Sequence, residues 1–156
     1  MKTLAFLLLW PLLAAARAPA ALTLACGGQQ WQLLCSDDAC DQSRLEFGPP
    51  EGDHWRGTAA VPAEMAAAQW FPRGLACLTA PDQKNYVLVA YGEALRDGEA
   101  RLWYYLFDER GRVLNKAKPL SKTDTAAPGA NHDELEALLQ QLNLDWPTEI
   151  RFLPAH

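Results

Sequence analysis

Three histidines, four cysteines and a knot of aspartates are the residues of this 156-residue chain whose types could do chemistry. His54 stands between Asp53 and Trp55 just past a Pro/Gly loop, where an imidazole could act as a base with carboxylates from the Asp37 to Asp41 stretch. A hydrolase also needs a nucleophile, and the serines outside the leader, Ser36, Ser43 and Ser121, lie in no Gly-x-Ser-x-Gly setting. His132 opens a run, His132-Asp133-Glu134-Leu135-Glu136, that lacks the second histidine of a zinc-binding helix, and His156 is the last residue. Asp37, Asp38 and Asp41 crowd one turn, yet a calcium loop alternates its ligands around a central glycine and closes on a glutamate, neither of which is here. The residues therefore assign no catalytic group, no metal and no cofactor. They leave Asp37, Asp38, Asp41, His54 and Trp55 as candidate binding residues, the carboxylates forming an anionic knob suited to Lys or Arg on another protein. Trp70, Phe71 and Trp146 are next to Pro or are followed by it within two residues; an exposed pair among these or Trp55 would serve as an interface anchor or a sugar-stacking platform.

The cysteines point to a compartment. Cys26, Cys35, Cys40 and Cys77 contain no Cys-x-x-Cys pair, which disfavours zinc, and their even number fits an oxidising environment. Three pairings exist. Cys35 with Cys40 would clip the aspartate-rich turn and leave Cys26 with Cys77 to tie the first hairpin to a later strand; Cys26 with Cys35 and Cys40 with Cys77 is the competing arrangement. The N-terminus agrees: Lys2, the apolar run Leu4 to Ala16, and Ala18-Pro19-Ala20 read as a secretory signal peptide, residues 1–20. The apolar run is shorter than the ~20 residues that span a bilayer. No membrane span is expected after cleavage.

Residues 21–156 are then one domain, with 12 basic residues (14 less Lys2 and Arg17) against 19 acidic, a net charge of −7. That balance speaks against nucleic acid and anionic lipid and for a basic partner.

The elements that must position these groups centre on residues 86–116. Two apolar runs, Tyr86 to Tyr91 and Leu102 to Phe107, flank Asp97-Gly98, which suits a two-residue type I′ turn; that register sets Tyr91 opposite Tyr104 and Val89 opposite Leu106. A second turn at Asp108-Glu109-Arg110-Gly111, with Gly111 left-handed, returns Arg112 to Asn115 as a third strand. Lacking alternation, both runs should be covered on both faces. Leu22 to Cys26, Trp31 to Cys35 and Arg44 to Phe47 read as short strands, with further strands within 54–61 and from Gly74 to Ala80. Pro62 to Trp70 reads as a short helix. After a 117–130 loop, Asn131 as N-cap and Leu135, Leu138, Leu139 and Leu142 at i, i+3, i+4 and i+7 predict a helix over 132–143, stopped by Trp146-Pro147. Glu149 to Leu153 closes the chain as an edge strand.

The expected class is α+β: a mainly antiparallel sheet with meander 86–116 at its centre, helices near 62–70 and 132–143, and disulfides. The expected function is an exported, non-catalytic protein-binding domain, inhibitor- or immunity-like, acting on a basic envelope-targeting enzyme and residing in the periplasm of a Gram-negative cell or secreted. Two alternatives stand beside it. One is a small-ligand or cell-wall-binding accessory module; the other is a hydrolase using His54.

Overall fold

The computed structural model of the protein describes residues 20–36, 42–50, 56–57, 70–93, 102–116 and 129–153. They form two antiparallel four-stranded sheets and one helix. The first sheet has the order β1-β2-β3-β4, with β1 Ala20–Cys26, β2 Gln29–Cys35, β3 Ser43–Gly48 and β4 Arg56–Gly57. The second has the order β7-β6-β5-β8, with β5 Trp70–Thr79, β6 Asn85–Glu93, β7 Leu102–Asp108 and β8 Arg151–Phe152. Helix α1, Gly129–Gln141, precedes β8.

Local chemistry explains the joints. Gly27 and Gly28 have φ of 62° and 74° and close β1 on β2 through the pair Cys26–Gln29, the two-residue turn that only residues tolerating positive φ form readily. At the other end of the chain, Asn143, with φ 52°, terminates α1. Its N–H reaches the Gln140 carbonyl at 3.2 Å and the Leu144 N–H reaches Leu139 at 2.8 Å, so Leu144 folds back onto the helix. The stop is thus Asn143, three residues before the expected Trp146-Pro147.

The second sheet lies between two layers. Leu75, Val87, Val89, Tyr91, Trp103, Tyr105 and Phe107 face the first sheet, where Trp31, Leu33, Leu45 and Phe47 meet them. Trp31 stacks on Phe47 at 4.8 Å and meets the edge of Phe107 at 5.8 Å, joining both sheets. On the opposite face Ala76, Leu78, Leu88 and Leu106 pack under Leu135, Leu139 and Leu144. Burying each of those three leucines contributes about 2 kcal/mol. The expectation that both apolar runs are covered on two faces therefore holds, but the meander is not central, since β7 is the last strand of its sheet and the strands divide into two sheets; the architecture is mainly antiparallel β with one helix in the C-terminal region.

Cys26 and Cys77 form a disulfide across 51 residues, fastening β1 to β5 and hence one sheet to the other. Cys35 is also disulfide-bonded, so the competing arrangement that pairs it with Cys26 is excluded; its expected partner Cys40 lies outside the described residues.

Four further sequence expectations need correction. The β6–β7 register pairs Tyr91 with Trp103 and Val89 with Tyr105, one residue away from the expected match. A slip of one residue sends a strand's side chains to the other face, so burying Trp103, Tyr105 and Phe107 beside Val87, Val89 and Tyr91 decides the pairing; Asp97-Gly98 lies outside the described residues. The third meander strand is a single bridge, Phe107 to Val113. Its turn is nonetheless as expected: Gly111 has φ 73°, its N–H bonds the Asp108 carbonyl at 2.9 Å, and the Asp108 N–H bonds that of Arg112 at 3.0 Å. Trp70, read as the end of a helix, begins strand β5, and residues 61–69 lie outside the described residues. Finally, α1 runs from Gly129 rather than 132, placing Asn131 inside it. β8 does lie at the sheet's edge, as expected.

Candidate interaction surface

Asp37, Asp38, Asp41, His54 and Trp55 all lie outside the described residues, as does loop 117–128. The aromatics divide clearly. Trp70 is buried, its ring edge-to-face with Trp103 at 6.3 Å in the inter-sheet core. Trp146 and Phe152, by contrast, keep 41% and 46% of their surface exposed, and they are the exposed large hydrophobics among the described residues.

Both rest on one row of the second sheet. Register aligns Gly74 on β5, Ala90 on β6 and Tyr104 on β7. Strands stand ~4.8 Å apart, so the ends of this row are roughly 10 Å apart. Phe152 covers one end: a Cβ at Gly74 would come within 2.8 Å of Phe152 Cδ1 and 3.0 Å of Ile150 Cγ2, and the missing side chain is what lets 150–152 lie against the sheet. Trp146 covers the other, meeting Tyr104 at 5.5 Å nearly perpendicular and His132 at 5.3 Å. The segment after α1 thus crosses the sheet carrying an exposed aromatic at each side. Burial holds the Tyr104 hydroxyl above the ordinary phenol pKa.

The charge here is one-sided. Residues 131–153 hold Asp133, Glu134, Glu136, Asp145 and Glu149 against Arg151, with no lysine. Arg151 is already occupied, its guanidinium donating to the Thr23 carbonyl of β1 at 3.0 Å, and Glu134 accepts the Lys116 N–H at 2.6 Å. Asp133, Glu136, Asp145 and Glu149 are exposed.

A concavity lies between the turn at residues 81–85, the turn at residues 108–112 and the residues just after α1. A cleft of about 380 Å³ is lined by Lys84, Tyr86, Asp108, Arg110, Leu114 and Leu142 among others, and a neighbouring one of about 320 Å³ shares Lys84, Tyr86 and Leu142. Its charges largely cancel. Lys84 bonds Asp82 at 2.6 Å, which lowers the pKa of the carboxyl and raises that of the ammonium; this pair is solvated and adds little stability. Asp108 is drawn below the usual carboxyl range. Burial opposes this, but the N–H groups of Arg112 and Arg110 and the Arg112 guanidinium, 2.7 Å away, outweigh it. Among the described residues no three of His, Cys, Asp and Glu gather to hold a metal ion.

Phe152 was not singled out from the sequence. Ile150 and Phe152 belong to a segment that reads as an edge strand, and only the missing side chain at Gly74, the register partner of Phe152, shows that their side chains lean over β5. No protein-family model matches the chain, and neither do curated proteins nor solved structures.

Proposed function

We propose that this protein is an exported, non-catalytic protein-binding domain, inhibitor- or immunity-like, that holds a basic envelope-targeting enzyme. The observation that carries this reading is the surface of Trp146 and Phe152: two large aromatics left 41% and 46% exposed while the other described tryptophans are buried, within a segment dominated by carboxylates. Aromatic anchors inside a charged rim are the usual energetic centre of a protein interface. The Cys26–Cys77 bridge supports the reading too, since a surface held by cross-linked sheets loses little freedom on binding.

The test is inhibition. Purified protein added to a cell-envelope extract should reduce its wall-degrading activity, and the Trp146→Ala/Phe152→Ala double variant should lose most of that effect. Raising salt should weaken the inhibition, because charge pairing between the partners is screened. An extract whose lytic activity is unchanged by saturating protein overturns the reading.

A second reading, a small-ligand accessory module, draws on the cleft of about 380 Å³ beside Tyr86 and Leu142, a size in the range of ligand pockets. Glycan or muropeptide fragments that perturb Tyr86 rather than Trp146 would favour it. The hydrolase reading depends on His54, and nothing in the described residues supports it.

A further inference from the structure

We infer that Trp146 is a receptor for a single cationic side chain, an Arg or Lys of the bound protein, stacked on the indole within a segment whose exposed charges are mostly carboxylates. This deepens the protein-binding reading and rests on it. The ring is held before any partner arrives: Tyr104 meets it at 5.5 Å with an interplanar angle of 81°, and His132 approaches at 5.3 Å and 56°. A tryptophan fixed on two sides with 41% of its surface open offers a cation a preformed aromatic face, and indole is the strongest of the aromatic rings for this contact.

Charge selects the occupant. Asp145 precedes the ring, Glu149 follows it by three residues, and Asp133 adjoins His132, all three exposed. The basic residue nearest in sequence, Arg151, is bound to the Thr23 carbonyl at 3.0 Å. A neutral sugar would stack on the indole and could donate hydroxyls to these carboxylates, but it would leave their charge uncompensated. A second copy of this acidic chain would be repelled by them. A guanidinium gains from both, stacking on the ring and pairing with the acids.

The probes are short blocked peptides with one central Arg, Lys or Glu, and a chitin oligosaccharide, each titrated into the protein while the indole N–H resonances are followed by NMR. Trp146→Phe identifies the Trp146 resonance by its disappearance. The Arg and Lys peptides should move that resonance saturably and more weakly as salt rises, and the Glu peptide should not. Read by titration calorimetry, which needs no indole signal, Asp145→Asn/Glu149→Gln should weaken the Arg peptide several-fold, and Trp146→Ala by roughly tenfold. Trp146→Phe should retain part of the affinity, which separates a lost aromatic face from a damaged fold. Movement by the oligosaccharide alone, or by none of the probes, overturns the inference. If cationic peptides fail while envelope lysis is still inhibited, the cation site is wrong and the inhibitor reading survives; peptide binding without inhibition has the opposite meaning.

Discussion

The side-chain amide of Asn131 stands beside Tyr104 where a neighbouring strand would be: its Oδ1 accepts the Tyr104 N–H at 2.7 Å and its Nδ2 donates to the Tyr104 carbonyl at 3.0 Å. One residue pair further along β7, Asn115 Oδ1 accepts the Leu106 N–H at 2.7 Å, and the Leu114 N–H donates to the Leu106 carbonyl at 2.8 Å. β7 is the last strand of its sheet, and an open edge invites pairing with another chain. Two buried asparagines and a turn close it, and Asn131 at the same time anchors α1 over the strand.

Removing that amide should therefore be more damaging than losing a helix cap. Asn131→Ala leaves the Tyr104 N–H without its acceptor in a part-buried setting, while the Tyr104 carbonyl keeps the bond from Asn115 Nδ2 at 3.3 Å, and we expect a loss of about 2 kcal/mol in denaturant unfolding. Asn131→Asp keeps an acceptor but turns a carboxylate oxygen towards the Tyr104 carbonyl, so it should be at least as destabilising at neutral pH. A change below 0.5 kcal/mol in both, by the order of surface substitutions, would show that the helix docks by leucine packing alone.

Glycines at two turns should respond differently to the same change. Gly28 has φ 74° with open space around a would-be Cβ, so Gly28→Ala should cost only the left-handed strain, about 1 kcal/mol. Gly111 has φ 73° and a Cβ there would run into the Phe47 ring, so Gly111→Ala should cost roughly 3 kcal/mol or more. Combining it with Phe47→Leu should cost less than the two single changes added together, because both act on one contact.

Tyr91 offers a case where removing a polar group should do no harm. Its hydroxyl is fully buried with no hydrogen-bond partner among the described residues, so Tyr91→Phe should be neutral or stabilising by up to about 1 kcal/mol. Burial, with a smaller contribution from Tyr105, raises the phenol pKa far above its ordinary value of 10.0. The sign follows: the folded protein favours the neutral phenol, so stability is fully present below pH ~10 and declines as pH rises beyond it. Unfolding curves at rising alkaline pH should show that decline in the natural chain and less of it in Tyr91→Phe.

The Cys26–Cys77 bridge closes a loop of 51 residues and should account for about 4 kcal/mol of stability in the chain-entropy model. Cys26→Ala/Cys77→Ala should lower the unfolding midpoint accordingly. Mass spectrometry of the native protein should find no alkylatable thiol before reduction. A native thiol at either position would contradict the bridge.

The strands around Gly27-Gly28, the bulged turn at Gly111 and the leucine spacing of α1 could be read directly, because each depends on neighbours within a few residues. The favoured partner of Cys26 was legible as well, once a short clip between Cys35 and Cys40 was assumed. Contacts that pair distant segments decided the rest. The β6–β7 register was set by which aromatics the opposite sheet could bury, not by Asp97-Gly98, so local turn chemistry gave a pairing one residue away. Asn131 looked like a cap because the acceptor and donor it serves lie on Tyr104, 27 residues earlier in the chain. Trp70 and Trp146 have similar sequence surroundings, yet one is closed in by Trp103 and the other is left on the surface, since exposure depends on what packs across a sheet and no short stretch records it.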